Sequence, residues 1–278
     1  MLLAAIVLGL IQGLTEFIPV SSSGHLLFVE RLLGWDTGKL TFDVALHWGT
    51  LVALLVFFRR DWVSILRSFA VHVVKRTPYG KDGDAEAGGR LLVPIIVGSI
   101  PVAFVGAKYD KVIEAMRDRP WMLPAVAGAL AIVGIVMLLA ERIGKRQREM
   151  GSMNYIDYVV IGLAQALALF PGVSRSGITI SAGLFRNLDR AAAARFSFLL
   201  STPAILGAGL LKLKDVSLAP GDWAVFAVGF VTAAVSGFFA IRFLMSYLQR
   251  RSLAVFAIYR FAFAAVILIT LATAHSSP

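Results

Sequence analysis

No cysteine occurs anywhere in the 278 residues, so no disulfide framework holds this fold together, and nothing about compartment follows from that. Charge is also scarce. Only 16% of residues are charged against 58% hydrophobic, and the mean hydropathy is +0.78. That composition lies outside the range of water-soluble domains. Acid is the scarcer sign: 17 Asp and Glu stand against 27 Lys and Arg, a net charge of +10. The basic residues sit mostly in the connections between apolar runs, where they face headgroups and set topology, so no nucleic-acid partner is expected. The N-terminus, MLLAAIVLGLIQGLTEF, lacks a basic leader and an A-x-A cleavage site and reads as mature sequence.

What is abundant is long apolar sequence. Runs near 41–58, 91–107, 121–140, 191–211, 223–241 and 253–273 approach the ~20 residues that cross a bilayer as helix. Two further segments, 2–17 and 155–170, each break within a few residues into a Ser/Gly turn, followed by short apolar runs at 25–33 and 178–185. Runs that short do not span, so each pair predicts a re-entrant helical hairpin.

The two hairpins are copies of each other. Residues 9–26, GLIQGLTEFIPVSSSGHL, and residues 162–179, GLAQALALFPGVSRSGIT, lie 153 positions apart and agree at nine of eighteen positions. Gly9/Gly162, Gln12/Gln165, Ser21/Ser174, Ser23/Ser176 and Gly24/Gly177 are among the identities. Each half is then a hairpin plus three spans, and an odd number of crossings starts the second half from the opposite face. The expected fold is an all-α integral membrane protein with six full spans. It forms a single membrane domain, 1–278, built as an inverted-topology repeat of 1–145 and 153–278, with the hairpin tips meeting near the midplane.

If Arg59 is cytoplasmic, sixteen Lys and Arg lie on that face and eight on the other. This positive-inside bias places both termini and the mouth of the first hairpin outside. The segment 62–76 is amphipathic and is expected to rest in the cytoplasmic interface, while 77–89 reads as the most flexible connection. Trp35, Trp48, Trp62, Trp121 and Trp223 fit interface anchoring.

The differences between the copies carry the chemistry. Only the first has Glu16 and His25; only the second has Arg175. Gln12 and Glu16 are four apart on one helical face, and Ser22 and His25 are three apart at the start of the next helix, again on one face. A helix that begins in a Ser/Gly turn presents unpaired N–H groups and a positive dipole end, an anion site in itself. Arg175 adds a planar fork suited to phosphate oxygens. Glu16 offers a ligand for a divalent cation or a base, and Ser22 and His25 a nucleophile and a proton carrier. The set suits cleavage of a phosphoanhydride. Ser23, Ser176 and Ser181 also fit helix packing. His47, His72 and His275 are read as lying outside the site, and Asp43, Arg195 and Arg260 mainly as structural partners.

The pair QGLTEFIPVSSSGH and PGVSRSGITIS resembles the signature of bacterial undecaprenyl-diphosphate phosphatases of the bacitracin-resistance family, with FSFLLSTP at 196–203 and FAIYRF at 256–261 extending the likeness along the chain. The resemblance implies a polytopic inner-membrane enzyme that removes the terminal phosphate from the polyprenyl diphosphate left by glycan polymerisation, recycling the cell-wall carrier lipid. By position it makes Glu16, Ser22, His25 and Arg175 catalytic, with Gln12, Ser21, Ser23, Ser174, Ser176 and Thr179 binding substrate. Gln12 and Glu16 fall on an (E/Q)xxxE motif, and Gln at the first position weakens any mechanism that needs two carboxylates. The resemblance also implies a divalent cation, Mg2+ or Ca2+, at Glu16. The expected partners are the polyprenyl diphosphate and membrane lipids, with a homodimer left open, and the site is expected to open to the periplasm. The rival reading is a secondary transporter or lipid flippase, since broken helices in inverted repeats also build carriers. A carrier, however, needs no nucleophile.

Overall fold

The computed structural model describes residues 1–35, 40–75, 83–213 and 222–275. Among these residues there are eleven α-helices, one 3-10 turn and no β-strand. Helix α1 (Leu2–Phe17) turns through Pro19 into α2 (Ser22–Leu33), followed by α3 (Leu40–Phe57), α4 (Arg59–Lys75), α5 (Gly83–Arg117) and α6 (Met122–Ile143). After the 3-10 turn Met150–Ser152, α7 (Tyr155–Leu167) and α8 (Arg175–Phe185) repeat the first pair, and α9 (Arg190–Lys212), α10 (Trp223–Leu248) and α11 (Ala254–His275) complete the chain.

Five helices are long and apolar enough to cross a membrane on their own: α5 from Leu91, α6, α9, α10 and α11. The protein is a multi-pass membrane protein. The run at 41–58 is α3, which meets that test only together with α4, from which it is bent by 77°. The bend separates an apolar helix from the amphipathic one expected at 62–76. One expectation is corrected. Residues 83–89, read as part of a flexible connection, are the helical start of α5, because Asp84, Ala85, Glu86 and Ala87 outweigh the neighbouring glycines. Residues 77–82 lie outside the described residues.

Small residues set which helices touch. A Cβ on Gly13 would lie 2.0 Å from the Ser236 hydroxyl and 2.6 Å from the Ala233 carbonyl, so α1 lies against α10 backbone to backbone. In the second copy a Cβ on Gly162 would lie 2.5 Å from the Gly98 carbonyl, bringing α7 equally close to α5. Without a hydrophobic drive between helices in lipid, such close approach supplies the van der Waals contact that holds them together. Further pairs are α3 with α9 and α10, α5 with α9, and α6 with α11.

Many charged side chains near the helix ends are paired. Asp157 holds Arg148 and Arg186 at 2.7 and 2.6 Å, and Glu141 holds Arg146 and Arg190 at 2.8 and 2.6 Å. Elsewhere Arg117 bonds Asp43 at 2.5 Å and also carries the Arg31 guanidinium on its carbonyl, while Lys212 bridges Asp110 and Glu114.

One cation is buried within a span. Arg260 of α11 is fully buried. Its guanidinium donates to the carbonyls of Pro19 in the first turn, Gly172 and Val173 in the second, and Ala129 and Leu130 of α6. A charge at that depth needs partners. Here it ties both turns to one helix.

Candidate active site

The sequence Val-Ser-x-Ser-Gly folds the same way twice. Ser21 and Ser174 cap α2 and α8 with φ of 78° and 69°, and their hydroxyls accept the N–H of Gly24 and Gly177 at 3.4 and 3.2 Å. A second hydroxyl, Ser23 or Ser176, lies 3.3 Å from each. Left-handed φ in a non-glycine residue is strained and persists where its surroundings over-determine it. In both turns the capping bond provides that constraint, freeing the first N–H groups of the helix for other partners. The turns touch: the Gly172 N–H donates to Ser23 Oγ at 3.4 Å. Gly172, at φ 94°, would put a Cβ 2.9 Å from the Val126 carbonyl.

Where the turns meet, Glu16 is the hub. Arg175 Nη2 donates to its Oε1, and Ser22 Oγ and Gln12 Nε2 donate to its Oε2 at 2.6 and 3.1 Å. The structure thus brings together Gln12, Glu16, Ser22 and Arg175, four of the residues singled out in the sequence, from both copies of the repeat. Glu16, Ser22 and Arg175 border a cavity of about 210 Å³, with the buried Gln12 behind them. Ser21, Ser23 and Ser174 add to its polar lining; Val102, Leu169, Ala204, Ile205 and Ala208 are among its apolar lining.

Other expected residues lie behind this lining. Ser176 is buried against Ser174, and the Thr179 hydroxyl donates to its own helix at the Arg175 carbonyl (2.7 Å) and pairs with Ser197 (2.6 Å). His25 does not share a face with Ser22 in the way its spacing suggests. Its Nδ1 bonds the Ser21 carbonyl at 2.7 Å, its Nε2 the Tyr259 hydroxyl at 2.8 Å, and its ring stacks on Phe263 with centroids 3.9 Å apart. Both ring nitrogens are therefore directed away from Ser22 and Glu16.

Two wall residues escaped the sequence reading. His47 of α3 lines the same cavity as Glu16. Its Nδ1 sits 2.7 Å from the Asp43 carbonyl, so in the neutral ring Nδ1 carries the proton and Nε2 the lone pair. The available signal was Asp43, His47 and Thr50 at helical spacing, a polar stripe in an apolar run. Gln165 of α7 is the other.

Residues 5–266 match the family described as bacitracin resistance protein BacA. A protein of Rubrobacter xylanophilus named undecaprenyl-diphosphatase is 48% identical over 96% of this chain and 97% of its own. Proteins of the same name from Moorella thermoacetica and Thermodesulfovibrio yellowstonii are 44% and 43% identical, each over at least 95% of both chains. With the motif-bearing turns inside a match of that extent, the chain belongs to the BacA family.

Proposed function

We propose that this protein is a membrane phosphatase that hydrolyses undecaprenyl diphosphate to undecaprenyl phosphate and inorganic phosphate, returning the carrier lipid to cell-wall synthesis. The observation that carries this reading is the Glu16 hub: a carboxylate holding a serine hydroxyl on one oxygen and a guanidinium on the other, at a cavity lined by both polar and apolar side chains. The polar lining suits a diphosphate and the apolar lining the first units of its prenyl chain.

The chemistry follows from the contacts. Arg175 turns its fork to the terminal phosphate, whose oxygens gain charge in the transition state. Ser22, already donating to Glu16, passes its proton to that carboxylate as its Oγ bonds to phosphorus. The bond from phosphorus to the bridging oxygen breaks, and undecaprenyl phosphate leaves with that oxygen. Water then cleaves the serine ester and inorganic phosphate departs. The same Ser22–Glu16 pair would equally orient a water for direct attack. His25 is a positioning residue in this account, fixing the Ser21 turn against Tyr259. Ser21, Ser23 and Ser174 reach the phosphates, while Gln12, Ser176 and Thr179 support them from behind.

A divalent cation fits the donors present. The Glu16 carboxylate, the Ser22 hydroxyl and the Gln12 Oε1, which is buried without a hydrogen-bond partner, are hard oxygens of the kind Mg2+ and Ca2+ take. No group of three His, Cys, Asp or Glu gathers among the described residues, so phosphate oxygens would complete the coordination shell. Bound there, the cation would neutralise diphosphate charge.

For topology, our reading is an inverted repeat, 1–145 and 153–278, with re-entrant hairpins and six spans in the bacterial plasma membrane. Exchanging the halves carries the α1–α10 contact onto α7–α5 and the α10–α3 contact onto α5–α9, which supports it. The ion pairs agree with the sidedness: Arg146, Arg148, Arg186 and Arg190 all fall on the face given to Arg59, and Arg31, Arg117 and Lys212 on the other. The cavity then opens to the periplasm. A homodimer is neither required nor opposed by this arrangement.

Purified protein in detergent, where no gradient exists, is expected to release phosphate from farnesyl diphosphate and to lose that activity on chelation, recovering with Mg2+ or Ca2+. No release under any metal condition would instead favour a carrier.

A further inference from the structure

Gln165 is fully buried in the cavity wall, and neither its Oε1 nor its Nε2 has a hydrogen-bond partner among the described residues. The repeat explains why. In the first copy the equivalent amide, Gln12, donates to Glu16 four residues on. In the second copy the equivalent position, 169, is leucine, which offers no acceptor. Leaving an amide buried and unpaired is costly, and a leucine in its place would remove that cost. An orphan of this kind in a native wall calls for a partner that arrives with a ligand.

We propose that the Gln165 amide is a phosphate-binding donor: its Nε2 hydrogens bond an oxygen of the diphosphate held by Arg175. This deepens the phosphatase reading and rests on it. Donation rather than cation binding is favoured because no carboxylate accompanies Gln165 in the second copy, and the wall around it carries Arg175 and Ser174. The amide is screened from solvent, so contact requires a wall side chain to move aside. Leu169, which lines the same cavity and is only half-buried, has the rotamers to do so.

Gln165→Leu separates this role from packing. In detergent the variant is expected to keep or raise the wild-type Tm, because an unpaired amide is gone. The KM for farnesyl diphosphate is expected to rise about tenfold or more, the size of one hydrogen bond to a charged group, with a smaller change in kcat. The rise in Tm that inorganic pyrophosphate gives the wild type should shrink. Gln165→Glu should be impaired at least as strongly, and added Mg2+ should not restore it. Unchanged KM and pyrophosphate response in Gln165→Leu would overturn the assignment, as would Mg2+ rescue of Gln165→Glu, which would make the residue a cation ligand. If wild-type protein binds pyrophosphate through Gln165 yet hydrolyses no diphosphate, the reaction fails and the assignment stands.

Discussion

Arg175→Ala is expected to abolish phosphate release and, at the same time, to weaken the fold. The catalytic loss should be about a thousandfold or more, the range found when a guanidinium that neutralises a transferring phosphoryl group is removed. The stability loss has a different origin. Arg175 is the cation on Glu16, a carboxylate only 8% exposed. Removing one member of a buried ion pair typically costs about 3–5 kcal/mol, because the other is left uncompensated. Arg175→Lys pulls the two effects apart. A lysine keeps the charge beside Glu16, so thermal stability should stay near wild type, but an ammonium does not reproduce the bidentate fork, and activity should still fall at least about a hundredfold. The double variant Glu16→Gln with Arg175→Met should regain stability over Arg175→Ala and no activity. Activity assays and thermal unfolding in detergent on these variants check the prediction; a near-normal rate in the Lys variant would reduce the role of position 175 to charge alone.

Arg260→Met is expected to be the most destructive substitution outside the site. Its guanidinium serves five carbonyls in three segments, and those of Pro19, Gly172 and Val173 lie outside any helix. Each buried carbonyl left without a donor costs about 1–3 kcal/mol, so a loss of at least about 3 kcal/mol is anticipated, with poor yield and a lowered Tm. Whatever protein folds should be inactive, since the two turns no longer share an anchor and Ser22 and Arg175 lose their register. Arg260→Lys offers at most three donors and should recover only part of the Tm. This is the reverse of position 175, where lysine preserves stability and loses the reaction. Wild-type Tm and activity in Arg260→Met would remove the anchor from the account.

The contrast between these two arginines marks what can be read from sequence. Arg175 was legible because its chemistry is local: a Ser/Gly turn, a helix start and a charge inside an apolar run all lie within seven residues. The pairing of Gln12 with Glu16 follows from helical spacing, and the junction of the two turns from the repeat. Arg260 was recognisable as a structural residue in a span but not as the link between turns, since its partners lie 87 to 241 positions away. His25 and His47 exchanged places for the same reason. Spacing puts His25 near Ser22, yet Tyr259 and Phe263 of α11 hold its ring, while the polar stripe Asp43, His47 and Thr50 marks a face of α3 without saying what it packs against. Helix starts were legible at the two Ser/Gly turns, where Ser21 and Ser174 are the caps. They were misread at 83–89, where acidic and glycine residues imitate a loop.

The central claim is that the diphosphate is held between the two turns, at Glu16, Ser22 and Arg175. An experimental structure of the protein with a non-hydrolysable polyprenyl diphosphate analogue tests it most directly. The account predicts the terminal phosphate within hydrogen-bond distance of the Arg175 guanidinium and the Ser22 hydroxyl, with the first prenyl units against Val102, Ala204 and Ala208. An analogue bound elsewhere, with Arg175 still closed on Glu16, would contradict it.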